Sequence, residues 1–499
     1  MSLSRKPCWI LLSLLASRGI ADLGTSIKAC QSLFSTLSGH VSFARDQVYE
    51  DSISSYAYIG TRLRPTCVVT PQSTEDVAVI IRVLNSFNSV AFAIRSGGHN
   101  TNEGFADIKD GVTIDLSAMN KIVLNRADNT VSVGPGARWQ SVYDALDPYS
   151  ISVQGGRNGH VGVGGFLLGG GIGFFSPERG WACDGVVNFE VVLSSGIIVN
   201  ANATYNTDLF IALKGGLNNF GIVTRFDLET YKQGPMWGGV IIYPNSTDDE
   251  LLDTLSAFKD PERFDPYAML TFGWIYDTKT QIFSSNIAMY HSHPESVNGS
   301  ISESFANVQP QVFSSIRTGS PGSFAGEKLS PIVKEYYMHW ATTTFYASRT
   351  TLSNMHASFR RNAIALTELF ASANLTIACS IQSVPAAAPA SNPNSLGFQP
   401  SSQPEKTLLN MGIAFQYEDS AATAGLAAAT ERFAREIDQI AVQDKVKDNH
   451  LYLNYAGGWQ DVFEGYGAES LETMRRVSRK YDSSGMFQNQ VKGGFKLYR

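Results

Sequence analysis

The residues of this chain that could do chemistry gather around its glycines. The run Arg95-Ser96-Gly97-Gly98-His99-Asn100 follows the apolar stretch Val90-Ala91-Phe92-Ala93-Ile94. A strand that ends in paired glycines presents a nest of backbone N–H groups suited to a phosphate, and here an imidazole stands directly beside it. Taken alone, a histidine after a glycine turn is more often a turn or surface residue. The second concentration extends from Gly155 to Gly173 and includes Gly162, Gly164, Gly165, Gly169, Gly170, Gly171 and Gly173. Glycine at this density is costly in a helix interior, and the valines, leucines and phenylalanine between are too apolar for a flexible linker. Close approach of the backbone to another group is the purpose such a stretch serves. It lacks the strand–GxGxxG–helix context and the acid about 20 residues on that mark a nicotinamide fold, so the residues by themselves point to a large phosphate-bearing cofactor. His291 and His293 share one strand face with no third ligand nearby, which argues against a metal. Tyr336, Tyr337 and Trp340 could line an apolar pocket, although core packing is the default for such spacing.

These residues need elements to position them. The stretch from Arg64 to Pro71 reads as a short β-branched strand, and Ser73 with Asp76 three residues on reads as a capping box opening a helix with Val77, Ile80, Ile81 and Leu84 on one face. The strand over 90–94 then completes a β-α-β unit. Another strand is expected over 111–116, a strand and helix over 131–146, and a hairpin from 186–192 and 196–201. From about residue 236 glycine usage becomes ordinary, which predicts a second domain with strands at 375–382 and 408–416 and an alanine-rich helix at 421–440. Residues 384–404, rich in Pro, Ala and Ser, read as an exposed excursion or lid.

The composition suits this organisation. With 499 residues, 43% hydrophobic and 17% charged, the chain has material for two to four folded units and is not disordered. A net charge of -6 supplies no basic field for nucleic acid, and no later segment is apolar for long enough to span a bilayer. Arg5 and Lys6 precede the short apolar run 8–16, the order of a secretory signal, expected over residues 1–21. Cleavage would remove Cys8. Cys30 and Cys67, which flank a polar stretch, could then pair, while Cys183 and Cys379 look like free core thiols. Glycosylation sequons start at Asn202, Asn245, Asn298 and Asn374.

Taken in order, Arg64–Val77, Arg95–Asn100, Gly111–Met119, Val161–Gly173, Gly180–Gly196, Asp208–Tyr231, Tyr452-Leu453-Asn454-Tyr455 and Tyr481–Asn489 resemble the PCMH-type, or vanillyl-alcohol oxidase, flavoproteins, and among them the berberine-bridge-enzyme-like FAD oxidoreductases. The resemblance implies an α+β fold. An FAD-binding domain of two β/α subdomains would occupy 22–235, a substrate domain with an antiparallel sheet backed by helices 236–448, and a segment returning to the FAD domain 449–499.

It also implies site residues. His99 stands at the family's flavinylation position, and Arg95 to Asn100 would cradle the pyrophosphate. Asn158 occupies the place where many relatives carry a second, cysteine tether, so a single covalent link is expected. Val161 falls at the oxygen gate, Gly221, Ile222 and Val223 would contact the adenine portion, and Asn454 would reach the isoalloxazine. Tyr452 is the first choice for an acid/base group, and Gln382 and Gln416 could point toward the flavin from the substrate sheet. The activity implied is two-electron oxidation of a small molecule, an alcohol, amine or polyketide-type intermediate of secondary metabolism, with O2 as acceptor and H2O2 as product. The Gly-Gly-Arg-x4-Val-Gly-Val-Gly-Gly version of the glycine stretch resembles the fungal branch, whose relatives oxidise secondary metabolites or, in some cases, sugars. Asn158, in place of the cysteine tether that carbohydrate oxidases often carry, favours a secondary metabolite over a secreted carbohydrate oxidase, with a flavoprotein cyclase without net redox change as the alternative of another class. Secretory or extracellular localisation is expected.

Overall fold

The computed structural model describes residues 9–257, 265–295, 298–327, 336–398 and 407–498, with side chains from residue 23 onward. The expected leader at 1–21 lies outside the residues whose side chains are described.

Ser73 caps the helix Thr74–Asn85 as its sequence dictates. Its side chain accepts from the Asp76 N–H while the Asp76 carboxylate accepts from the Ser73 N–H. The flanking strands Cys67–Val69 and Phe92–Arg95 do not pair with each other. Both run parallel to Val112–Asp115, which inserts between them. The strand before the helix and the strand after it are therefore separated by one that comes later in the chain. Cys30 and Cys67 form a disulfide that ties the helix Trp9–Thr36 to this sheet, and Cys183 and Cys379 are free and buried.

A second sheet contains Ile122–Asn125, Thr130–Val133, Ile222–Glu229, Val186–Val192 and Ile198–Asn202 in that order. All its pairings are antiparallel, so the strand-then-helix order at 130–146 makes no parallel unit there. Inside the glycine-rich stretch Val163–Leu168 forms a short helix, although glycine at this density is costly in a helix interior.

The third sheet has nine strands, from Met236–Pro244 to Lys447–Asp448. Alternation along Leu408–Tyr417 sorts its two faces. Leu409, Met411, Ile413 and Phe415 join a core with Leu352, Met355 and Phe359 of the helix Arg349–Leu369 and Leu426, Phe433 and Ile437 of the helix Thr423–Gln443. The opposite face turns toward the first lobe: a Cβ on Gly412 would lie 2.9 Å from the Tyr455 ring.

The C-terminal segment returns to the first sheets. Phe92 donates its N–H to the Gln490 carbonyl, and the Asn219 amide donates to the carbonyls of Gly216 and Phe495. The proline-rich excursion is less exposed than expected. Ser395 and Leu396 are buried, and Asn392 and Asn394 donate to the backbone carbonyl and the carboxylate of Asp184. Residues 399–404 of that excursion lie outside the described residues.

Candidate active site

A cavity of 410 Å³ lies between the two N-terminal sheets, the face of the nine-stranded sheet and the segment 452–455. This is an ordinary size for a small-molecule or cofactor site. Its lining begins at the end of the strand Phe92–Arg95, where the chain turns through Ser96, Gly97, Gly98, His99 and Asn100. The turn is held from below. Ser96 donates its hydroxyl to the Pro135 carbonyl at 2.6 Å and accepts from the Gly164 N–H at 3.2 Å. Gly97 meets Gly162 so closely that a Cβ on Gly97 would stand 2.5 Å from the Gly162 nitrogen, and Gly98 has φ +64°. Glycine is required at both places, by backbone contact at the first and by left-handed conformation at the second. Val161, Gly162, Gly164 and Gly165 line the cavity beside this turn, and Gly221, Ile222 and Val223 line it together with Leu116 and Phe226.

His99 stands with its ring edge-on to Tyr58, centroids 5.5 Å apart. Burial, with help from the Arg138 charge, lowers its pKa to about 4, so the imidazole is neutral at physiological pH. Across the cavity, Asn454 donates to the Phe166 carbonyl and to the Tyr452 hydroxyl oxygen, which also accepts from the Ile172 N–H at 3.0 Å. Burial raises the Tyr452 phenol well above its ordinary range, although both N–H donors favour the phenolate. Tyr455 and Trp340 complete an aromatic wall, with Tyr455 4.9 Å from Tyr452 and 4.4 Å from Trp340 between ring centroids. Tyr336 and Tyr337 do not line the cavity.

Several expected site residues stand elsewhere. Arg95 packs beneath Gly98 of the turn and outside the cavity lining, buried in an ion pair with Asp115 at 2.8 Å, hydrogen-bonded to Ser52 and Ser55 and stacked on Tyr56. It is a foundation under the nest and not part of its surface. Gly169, Gly170, Gly171 and Gly173 also miss the cavity. A Cβ there would strike Asn454, Trp181, Phe166 and the Gly155 carbonyl respectively, so these glycines permit close packing within the protein. Gln416 shares the cavity-facing side of its strand but lies outside the lining, to which no residue of that strand contributes. Gln382 is buried just behind the wall, its Oε1 accepting from Arg157 at 2.5 Å. His291 pairs with Asp265, and no metal-holding cluster exists among the described residues.

Arg157 and Tyr58 are lining residues that the spacing did not single out. The arginine was visible inside the Gly-Gly-Arg motif, but its partners Thr271, Gln382 and Tyr455 come from three distant segments.

The lining fits FAD. Backbone amides of a glycine nest that admits no Cβ would hold the pyrophosphate, the apolar end at Leu116, Ile222 and Phe226 would take the adenine, and the aromatic wall with Tyr452 and Asn454 would face the isoalloxazine.

The comparisons agree. A family model described as an FAD binding domain matches residues 65–202. An FAD-dependent monooxygenase of Aspergillus calidoustus is 34% identical over 491 residues, 96% of this chain and 92% of the relative. Another from Emericella nidulans is 34% identical over 478 residues, 94% of this chain and 98% of the relative. Among solved structures, 6-hydroxy-D-nicotine oxidase from Arthrobacter nicotinovorans superposes with a TM-score of 0.76 at 20% identity, covering 91% of this chain and 97% of that one. A variant of berberine bridge enzyme in complex with (S)-reticuline gives 0.71 at 17% identity, covering 95% and 98%. With the cofactor cradle, the two-lobed fold and relatives matched along almost their whole length, the chain belongs to the PCMH-type, berberine-bridge-enzyme-like family of FAD-linked oxidoreductases.

Proposed function

We propose that this enzyme carries out a two-electron oxidation of a small organic molecule, an alcohol, amine or polyketide-type intermediate of fungal secondary metabolism, with O2 as the electron acceptor. The observation that carries this reading is one cavity joining the glycine nest and a neutral imidazole to an aromatic wall built from Trp340 of the nine-stranded sheet and Tyr452 and Tyr455 of the C-terminal segment. When bound, FAD supplies the two-electron acceptor that dioxygen can reoxidise. The residues do the rest. His99, neutral and therefore nucleophilic, would carry the single covalent link; among the described residues no cysteine lines the cavity, and Asn158 stands where a second tether would be. Val161 would leave room for O2. Trp340 and Tyr455 would orient a flat substrate and exclude water. Tyr452 would hold or pass the substrate proton at its hydroxyl, whose two N–H donors fix the oxygen in place.

A second reading keeps the same site and places one oxygen atom in the product. It is favoured by the names of the fungal relatives, which are called monooxygenases. Oxidation under 18O2 separates the two. An oxidase releases H2O2 and leaves the product unlabelled, while a monooxygenase labels it. Anaerobic bleaching of the flavin by substrate would be absent from a cyclase without net redox change. Yellow colour that stays with acid-precipitated protein, and a flavin-modified His99 peptide, would test the tether; a yellow supernatant would refute it.

The Cys30–Cys67 disulfide supports maturation in an oxidising compartment. Of the sequon asparagines, Asn245 and Asn298 are exposed, whereas Asn202 and Asn374 are half-buried with their amides hydrogen-bonded. Intact mass of the protein from culture medium, before and after deglycosylation, checks both points.

A further inference from the structure

We infer that Arg157 is the substrate-recognition residue of this site, and that it selects a substrate carrying an ionised oxygen, a carboxylate or an acidic phenol or enol. The inference rests on the reading of the cavity as the place of substrate oxidation and names the chemistry that the substrate must bring.

Arg157 is half-buried in the cavity lining. Its guanidinium leaves the glycine-rich loop of the first lobe and crosses to the nine-stranded sheet, where it donates to the Thr271 hydroxyl and the Gln382 side-chain oxygen, with the Tyr455 hydroxyl at 3.5 Å. All three acceptors are neutral. Among the described residues no carboxylate pairs with it, in contrast to Arg95, whose charge is matched by Asp115. A guanidinium has five N–H donors, so these contacts leave capacity for another acceptor.

The second observation stands next to it. Gln382 is 1% exposed, and while its oxygen is taken by Arg157, its Nε2 has no hydrogen-bond partner. A buried amide donor left without an acceptor is costly. A cation in the cavity lining with no carboxylate partner, backed by a buried donor left without an acceptor, describes a place for a group that only accepts hydrogen bonds and carries negative charge. The position argues for substrate and not for the cofactor phosphates. Those fit the glycine nest around Gly97 and Gly162, whereas Arg157 is bonded to the substrate sheet.

The test uses the FAD-loaded enzyme and two probes of one shape, benzoate and benzamide, titrated at constant ionic strength and followed by perturbation of the flavin absorbance and by calorimetry. Benzoate should bind at least about tenfold more tightly than benzamide. Arg157→Gln should abolish that preference while retaining FAD, and Arg157→Lys should keep part of it. Equal binding of the two probes by the wild type, no benzoate binding, or an unchanged preference in Arg157→Gln would each overturn the inference. If Arg157→Gln fails to fold, the wild-type ratio and Arg157→Lys still decide. Loss of FAD from a folded Arg157→Gln protein with no change in probe preference in its residual holoenzyme would reassign the arginine to the cofactor. Rapid reoxidation of the dithionite-reduced wild type by O2, measured in the same samples, keeps a failure here distinct from a failure of the oxidase reading.

Discussion

The two walls of the cavity are built by different means. On the nest side the protein contributes backbone: Ser96 to Asn100 and Gly162 to Gly165 bring main-chain groups against one another with almost no side chain between them. On the opposite side it contributes side chains, Arg157, Tyr452, Tyr455 and Trp340, held by partners far apart in the sequence. A backbone wall tolerates no added atom. A side-chain wall can be altered piece by piece, which suits a family that keeps one cofactor and changes its substrates.

The largest expected effect is on the backbone wall. Gly97→Ala would set a Cβ 2.5 Å from the Gly162 nitrogen and 2.6 Å from its Cα, which no rotamer relieves. FAD content of the purified protein should fall to less than about a tenth, read from the ratio of flavin to protein absorbance. Retention of full flavin would mean that the two loops yield.

Next comes the foundation. Arg95→Met leaves Asp115 buried beside Ser52 without its cation, and should cost about 3–5 kcal/mol in urea unfolding. A loss below about 1 kcal/mol would show that the pair does not support the nest.

Tyr452→Phe probes the side-chain wall. If the hydroxyl handles the substrate proton, kcat should fall about 10²–10⁴-fold and the pH profile should change. If it serves only as an acceptor for the Ile172 and Asn454 N–H groups, stability drops by about 1–3 kcal/mol with an unaltered profile.

A pH effect should follow from His450, caught between the rings of Phe398 and Tyr466 with neither ring nitrogen bonded. Burial lowers its pKa from 6.5 to about 3, the same direction as for His99. Between those values the unfolded chain binds a proton that the folded chain refuses, so stability is present above about pH 6.5 and is lost as the pH falls toward 3. His450→Phe should flatten that decline in chemical denaturation measured from pH 7 to 4, and an unchanged slope would place the acid sensitivity elsewhere.

The smallest effect sharpens the contrast between the two halves of the glycine stretch. A Cβ on Gly165 meets nothing within 4 Å and would project where the cofactor belongs, while one on Gly171, at φ +81°, would strike Phe166. Gly165→Ala should weaken FAD retention and leave the apoprotein as stable or about 0.5–1 kcal/mol more so. Gly171→Ala should do the reverse, lowering stability.

How much of this was legible depends on where the information is stored. The capping box at Ser73 and Asp76, the helix at 423–443 and the strands at 376–383 and 408–417 were readable because propensity, capping and alternation are local. The pairing of Cys67–Val69 and Phe92–Arg95 across Val112–Asp115 was not, since strand order reflects contacts between remote segments. Arg95 and Gly169 to Gly173 were assigned to the cofactor because they stand in the same motifs as residues that line the cavity, and a motif does not say which way a side chain turns. Asp115 claimed the guanidinium, and Asn454, Trp181 and Phe166 claimed the space over the glycines. Gln416 is on the strand face turned toward the cavity, but no residue of that strand lines it.

The sequence by itself determined the phosphate-compatible nest, the neutral scaffolding of glycines and the kind of cofactor, because a turn that needs Gly97 and Gly98 is specified by the absence of a Cβ within a few consecutive residues. Only the tertiary structure decided the substrate wall. Arg157, Thr271, Gln382 and Tyr455 meet because two lobes close on each other, and contacts between residues so far apart along the chain leave no periodicity or spacing to read.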